Sequence, residues 1–328
     1  MLVIDGAVLE GGGQIVRSAA ALSAITGKDI KIINIRKKRQ NPGLSAQHCT
    51  AVMALKDLCS AMVEGCTPRS MELTFRPGRI KESHSMVDCG TAGSIPLVLQ
   101  AWLPAALGKG GSLTVRGGTE VPMSPTIDYF TRVFLPVLQS SGALVTVETR
   151  HRGYYPQGNG EVRVVAKPSS MTAIDTGIVS GTCDAGIVSC SANLPEHVAL
   201  RQAWGANEVL KRHTGYTFPV FFDRRTELST GTSVTAWKGC KGGSALGRRG
   251  YPAEDVGLDA AKALVRELEQ AGNVDPFLAD QLLIYLAQYG GWFSTHTFTL
   301  HAMTGCWLLE KFGFHIGVRQ GDQVTVSA

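Results

Sequence analysis

The segment Gly11–Ile35 reads GGGQIVRSAAALSAITGKDIKIINI: three glycines, an apolar run of helical length, a glycine that stops it, and a short strand-like stretch. The same grammar returns at Gly90–Arg116, GTAGSIPLVLQAWLPAALGKGGSLTVR, where a small-residue turn opens a second apolar run that ends in glycines before SLTVR. The two starts lie about 80 residues apart, the spacing of a repeated supersecondary unit. A weaker third version predicts a helix over Asp275 to Tyr289, two glycines and a strand over Phe293 to Leu300, and it arrives roughly a hundred residues late. An insertion between repeats two and three accounts for the delay. It runs from about Ile178 to Asn273 and has its own elements: a helical stretch around Pro195 to Lys211, strands near Tyr216 to Phe222 and Ser233 to Trp237, and a long helix over Ala253 to Ala271. That helix carries Val256, Ala260, Leu264 and Leu268 at fourfold spacing. Residues 1–177 and 274–328 then form the repeated core and 178–273 a smaller inserted domain; the class is α/β or α+β, with helices on one side of mixed sheets.

The chain has 328 residues, 44% hydrophobic and 18% charged, which excludes disorder and allows a self-sufficient core. Its most apolar stretch, Ser94 to Leu107, is broken by Pro96, Gln100 and Pro104 and falls short of the roughly 20 apolar residues of a membrane span. The amino terminus MLVIDG lacks a basic leader, so a cytoplasmic protein is expected. Eight cysteines (Cys49, Cys59, Cys66, Cys89, Cys183, Cys190, Cys240, Cys306) form no C-x-x-C pair, which argues for reduced, buried small hydrophobes rather than a zinc ribbon or redox motif. The net charge of +5 is locally concentrated at Lys28, Lys31, Arg36, Lys37, Lys38 and Arg39, either a solvated face or a phosphate or nucleic-acid site.

The motifs of P-loop, Rossmann, zincin, α/β-hydrolase and lysine-nucleotidyl enzymes are all missing. What is present is Glu10 followed by three glycines, Gln14 and Arg17 at a helix start, where backbone N–H groups can meet an anion. A structural turn looks the same. Arg36 and Arg39 follow beside the turn PGLSAQH, and guanidinium forks from Arg17, Arg36 and Arg39 would cradle an oxyanion if the fold converges them.

These strings, with GGTEVPMSPTIDYF, LGRRGYPAEDVG, FLADQL and HAMTGCWLLEKF, resemble the RNA 3′-terminal phosphate cyclase family in collinear order over essentially the whole chain. The resemblance implies three repeated units, each with two helices on a four-stranded sheet, and a smaller insert of thioredoxin-like outline before the last unit. It implies ATP-dependent conversion of an RNA 3′-phosphate to a 2′,3′-cyclic phosphate, releasing AMP and pyrophosphate, with His301 as the nucleophile. Taken alone, a histidine after an alternating strand reads as a core or capping residue, and His296 and His315 lack even the motif.

By the same resemblance Glu10 is the carboxylate for Mg2+ or Mn2+, and Arg17, Arg36, Arg39 and Gln47 contact the phosphates of ATP or of the RNA end. Gln14, Gln100, Pro125, Tyr129, Phe277, Asp280 and Gln281 form the nucleotide site, with Pro125 and Phe277 able to sandwich a purine; ordinary core packing is the alternative for both. Three departures from the family pattern stand out: Gly305 where asparagine is usual, Phe277 where tyrosine is common, and Arg248 in place of an acid. Two other readings remain at this stage, a non-catalytic cyclase-like factor that binds RNA or assists ribosome assembly, and a carbohydrate-pathway transferase on a similar repeated unit. The oligomeric state is open, a homodimer included.

Overall fold

The computed structural model describes residues 1–177 and 184–328; the expected start of the insertion at Ile178, and Cys183, lie outside the described residues. The first unit runs β1 (Leu2–Asp5), α1 (Gly13–Thr26), β2 (Ile30–Ile33), α2 (Ala46–Cys59), β3 (Met62–Glu64) and β4 (Leu73–Arg76). Its sheet has the order β1-β2-β4-β3, with β1 and β2 parallel (Leu2 opposite Ile30) and the other pairs antiparallel. The second unit repeats this as β5 (Ser83–Asp88), α3 (Ile95–Ala106), β6 (Gly111–Gly117), a helix in three parts, β7 (Val145–His151) and β8 (Gly160–Ala166). The parts of that helix are α4 (Ile127–Tyr129), a π-helical turn Phe130–Phe134 and α5 (Leu135–Ser140), and the sheet order is again β5-β6-β8-β7.

The third unit opens with β9 (Ile174–Asp175) and is then interrupted by β10 (Ala185–Ala192), α6 (Glu196–Thr214), β11 (Val220–Arg225), β12 (Gly231–Lys238), β13 (Lys241–Leu246) and α7 (Ala253–Leu268). It resumes with α8 (Pro276–Tyr289), β14 (Gly291–Thr295), α9 (Leu300–Phe312), β15 (Gly317–Arg319) and β16 (Val324–Ser327), giving the order β9-β14-β16-β15. The third repeat thus starts at β9, not at Asp275, and the intervening elements split it instead of preceding it. β9 is only two residues long, too short to carry an alternating pattern.

The helices of the units face one another: α1 packs on α2, α3 and α9, and α8 on α9 and α3. One apolar core containing Ile15, Leu22, Trp102, Leu282 and Phe293 joins the three units, while Ile187, Phe218, Val234 and Leu264 belong to a separate core of the intervening elements. Two buried carboxylate joints tie the two together. Asp275 accepts from the Tyr129 hydroxyl at 2.7 and 2.8 Å, from Gly242 N at 2.9 Å and from Leu278 N at 2.9 Å. Arg152 donates to Glu120 at 2.6 Å, to both oxygens of Asp128 at 2.8 and 2.9 Å, and to Asp223 of β11 at 2.7 Å.

Capping explains where two elements depart from the sequence reading. The strand expected to reach Leu300 stops at Thr295, because the Thr299 hydroxyl accepts from Ala302 N at 2.9 Å and opens α9. The helix expected to reach Ala271 ends at Leu268, where Lys241 Nζ takes the carbonyls of Glu267 and Gln270 at 2.8 and 2.9 Å. β11 likewise begins only after Pro219, which has no N–H to give a ladder. Among the described cysteines Cys49, Cys66 and Cys306 are only partly buried, where the sequence suggests burial. Among the described residues no helix is long and apolar enough to cross a membrane.

Candidate functional site

Where α1, α3, α8 and α9 meet the edge of β13 and α7, they leave a cavity of about 910 Å³. Ten of the expected residues line it: Glu10, Gln14 and Arg17 around the start of α1, Gln100 on α3, Pro125 and Tyr129, Phe277, Asp280 and Gln281 on α8, and His301 on α9. Arg36, Arg39 and Gln47 stand outside its wall.

His301 is the second residue of α9, in the first helical turn and not at the end of a strand. Its Nδ1 donates to Glu10 Oε2, and Arg39 Nη2 donates to Glu10 Oε1 at 2.6 Å and to the Glu10 carbonyl at 3.1 Å. The His301 bond, helped by Arg39 and opposed by burial, brings the Glu10 carboxyl down to about 2. An ionised carboxylate on Nδ1 fixes the proton there and leaves the lone pair on Nε2, the arrangement a histidine nucleophile needs. Sequence reading gave Glu10 to a metal; it did not foresee this contact, which spans 291 positions of the chain.

The cationic side is built around His48. Its Nδ1 accepts from Ser45 N at 3.0 Å at the start of α2, and its Nε2 stands where a Cβ on Gly13 would come within 1.9 Å. Gly13 is therefore a close-approach glycine. Burial first, then Arg17 and Arg36, push His48 down to about 3, so it is neutral. Arg17 makes no hydrogen bond or ion pair with any described residue, and desolvation lowers it to about 10 against the pull of Glu10. Arg36, lowered by burial and then by Arg39, spends one nitrogen on the Gly43 carbonyl at 3.0 Å. Gln47 accepts from Ser94 N at 2.7 Å, which ties the cradle to the start of α3. A half-buried guanidinium that lines a cavity without a hydrogen-bonded partner is a site for an anion.

At the other end of the cavity Phe277 is 66% exposed, which rules out core packing for it, and Pro125 lies on the same lining. Gln100 donates to Gln281 at 2.6 Å, and Gln281 to the Phe277 carbonyl at 2.9 Å. Burial raises Asp280 to about 6, although His301 and the Thr299 hydroxyl at 2.8 Å oppose it. Tyr129 is wall material, buried with its hydroxyl on Asp275. Buried Gln14 has an Oε1 without a partner among the described residues. Gly305, the departure from the family pattern, allows α9 to close on α8: a Cβ there would stand 2.8 Å from Leu283 and 3.5 Å from Gln14 Nε2.

Sequence reasoning missed His48 as part of the cradle, although it closes the motif PGLSAQH. It also missed Met123, fully exposed on the cavity rim in left-handed backbone (φ 62), and Arg266, which α7 contributes to the lining. The basic run divides in the fold: Lys28 donates to the Phe312 carbonyl at 2.7 Å and Lys31 pairs with Glu72 at 2.8 Å, while Lys37 and Lys38 are exposed. Among the described residues no three His, Cys, Asp or Glu side chains converge as a metal cage. Glu10, whose two oxygens already take His301 and Arg39, keeps further lone pairs for a magnesium-like ion that arrives with phosphate oxygens and its own waters.

The model of the family described as RNA 3′-terminal phosphate cyclase matches residues 8–316. Proteins of that name from Methanosarcina acetivorans, Thermococcus kodakarensis and Archaeoglobus fulgidus are 42%, 43% and 40% identical to this chain, covering 95%, 97% and 99% of it and 95%, 94% and 100% of themselves. A solved EPSP synthase from Acinetobacter baumannii aligns with 94% of this chain and 61% of its own at 11% identity and a TM-score of 0.30, too slight a likeness to carry an argument.

Proposed function

The chain belongs to the RNA 3′-terminal phosphate cyclase family, and from that premise we propose that it turns RNA 3′-phosphate ends into 2′,3′-cyclic phosphates at the expense of ATP. Carrying this reading is His301, locked through Nδ1 on an ionised Glu10 inside a cavity that also holds the unpartnered Arg17.

In the proposed sequence Nε2 of His301 attacks the α-phosphorus of ATP, the bond to the bridging oxygen breaks, and pyrophosphate leaves. Glu10 favours the imidazolium that forms as the ring becomes covalently bonded, and Arg17 neutralises the departing charge. An oxygen of the RNA 3′-phosphate then attacks the same phosphorus, and His301 leaves as neutral imidazole. The neighbouring 2′-hydroxyl attacks the 3′-phosphorus, loses its proton and expels AMP. This last step joins two groups on one ribose and needs little beyond positioning by Arg36, Arg39 and Gln47. Phe277 and Pro125 flank the adenine. Glu10 would hold Mg2+ or Mn2+, which would supply charge neutralisation.

The test is incubation with ATP labelled on the α-phosphate and a divalent ion, without RNA. An acid-labile, alkali-stable label on the wild type, absent from His301→Ala and discharged by RNA ending in a 3′-phosphate, is the expected result. Absence of label from both proteins would refute the reading.

A further inference from the structure

Just outside the nucleotide cavity, three large apolar side chains are left in water: Leu9 is 45% exposed, Leu300 49% and Met303 41%. None of them lines the cavity. Their segments are joined by one short chain of hydrogen bonds, in which Glu10 N donates to Thr304 Oγ1 at 3.4 Å and Thr304 Oγ1 donates to the Leu300 carbonyl at 2.7 Å. The Leu9–Glu10 backbone is thereby tied to the first turn of α9, which carries Leu300 and Met303 three residues apart on one helix face. Leu9 also has φ 49, a left-handed conformation that a leucine rarely adopts. An exposed leucine in costly backbone, next to the carboxylate that orients the nucleophile, is not explained by stability.

We propose that Leu9, Leu300 and Met303 form a shelf for the nucleobase of the RNA's 3′-terminal nucleoside, a reading that rests on the cyclase function above. The Glu10–His301 pair has cationic and apolar neighbours together. Arg39 reaches Glu10, while exposed Leu9 precedes Glu10 in the chain and exposed Leu300 and Met303 flank His301 in the first turn of α9. A nucleoside 3′-phosphate would meet both, with an anion one ribose away from a flat, largely apolar ring. Its phosphate must reach the phosphorus carried on His301 Nε2, so its base comes down next to Leu300. The shelf side chains bear no hydrogen-bonding groups, so they sense that a base is present without reading which base it is.

The experiment compares cyclisation of two short RNAs ending in a 3′-phosphate, one intact and one whose terminal ribose lacks its base, with label on His301 measured in the same samples. For the wild type, kcat/KM is expected to favour the intact RNA about tenfold, the scale of partly burying two aliphatic side chains. In Met303→Ser and Leu9→Gly that ratio falls towards one. Leu9→Gly relieves the left-handed backbone while removing the side chain, so a fall there is not a folding defect. Equal wild-type rates on both RNAs overturn the shelf, and so does a tenfold ratio that survives in both variants. A wild type that never labels His301 overturns the cyclase reading instead.

Discussion

Arg152 lies buried among Glu120, Asp128 and Asp223, every face of its guanidinium taken, and those carboxylates hold its pKa above the ordinary value. Arg17 is half-buried in the cavity wall with no hydrogen-bonded partner among the described residues, and desolvation against the pull of Glu10 brings its pKa down to about 10. The first pins the intervening elements to the second unit; the second lines the cavity between the helices. Taking a guanidinium out of water is costly, and a fold that does so without pairing it leaves the pairing to something that binds. The degree of satisfaction separates the two arginines: Arg152 is consumed by the fold, and Arg17 keeps its donors open to the cavity.

Substitutions can break this comparison. Arg152→Met strands three carboxylates and should lower the unfolding free energy in urea by about 3–5 kcal/mol. Arg17→Met should leave that free energy within about 1 kcal/mol of wild type or raise it, while labelling of His301 slows by about 10²–10³-fold, the loss typical of one charge-stabilising donor. If Arg17→Met unfolded as readily as Arg152→Met, the distinction would be lost. Inorganic pyrophosphate sharpens it: at about a hundredfold excess over its Kd it should stabilise the wild type by about 2.7 kcal/mol and Arg17→Met hardly at all, read as the shift in thermal midpoint.

The smallest effect is a difference of sign with pH. Burial, only partly countered by Arg152, raises Glu120 to about 7, so its cost to stability grows as pH rises from 4.5 to about 7, and Glu120→Gln should flatten that slope. Glu10, lowered to about 2, contributes stability that is complete above 4.5 and disappears as pH falls through about 2; Glu10→Gln should lack it. Urea unfolding across this range should show opposite slopes of about 1 kcal/mol after allowance for solvent and neighbouring charges.

Much of the architecture was legible because each repeat announces itself with small residues, an apolar helix and a glycine stop. What escaped had no such punctuation. β9 is two residues long, and the π-helical turn at Phe130–Phe134 depends on packing around it. The sequence strings named most of the cavity lining, yet not its wiring. Glu10 and His301 meet across nearly the full chain, and whether Arg17 is paired depends on what the fold leaves near it. Tyr129 shows the converse: a motif placed it at the nucleotide site, and its hydroxyl is spent on Asp275.

The split third unit also sets an order of assembly. Ile174 of β9 pairs with Gly291 of β14 across the whole of the intervening elements, so the loop between them must close before that sheet exists, whereas the first two sheets form from nearby segments. During synthesis the first unit, which carries Glu10 and Arg17, is made well before α9 and His301. Until α9 is made and docks on α1, the Glu10 carboxylate has Arg39 within reach but no imidazole, so the Glu10–His301 pair closes late in folding.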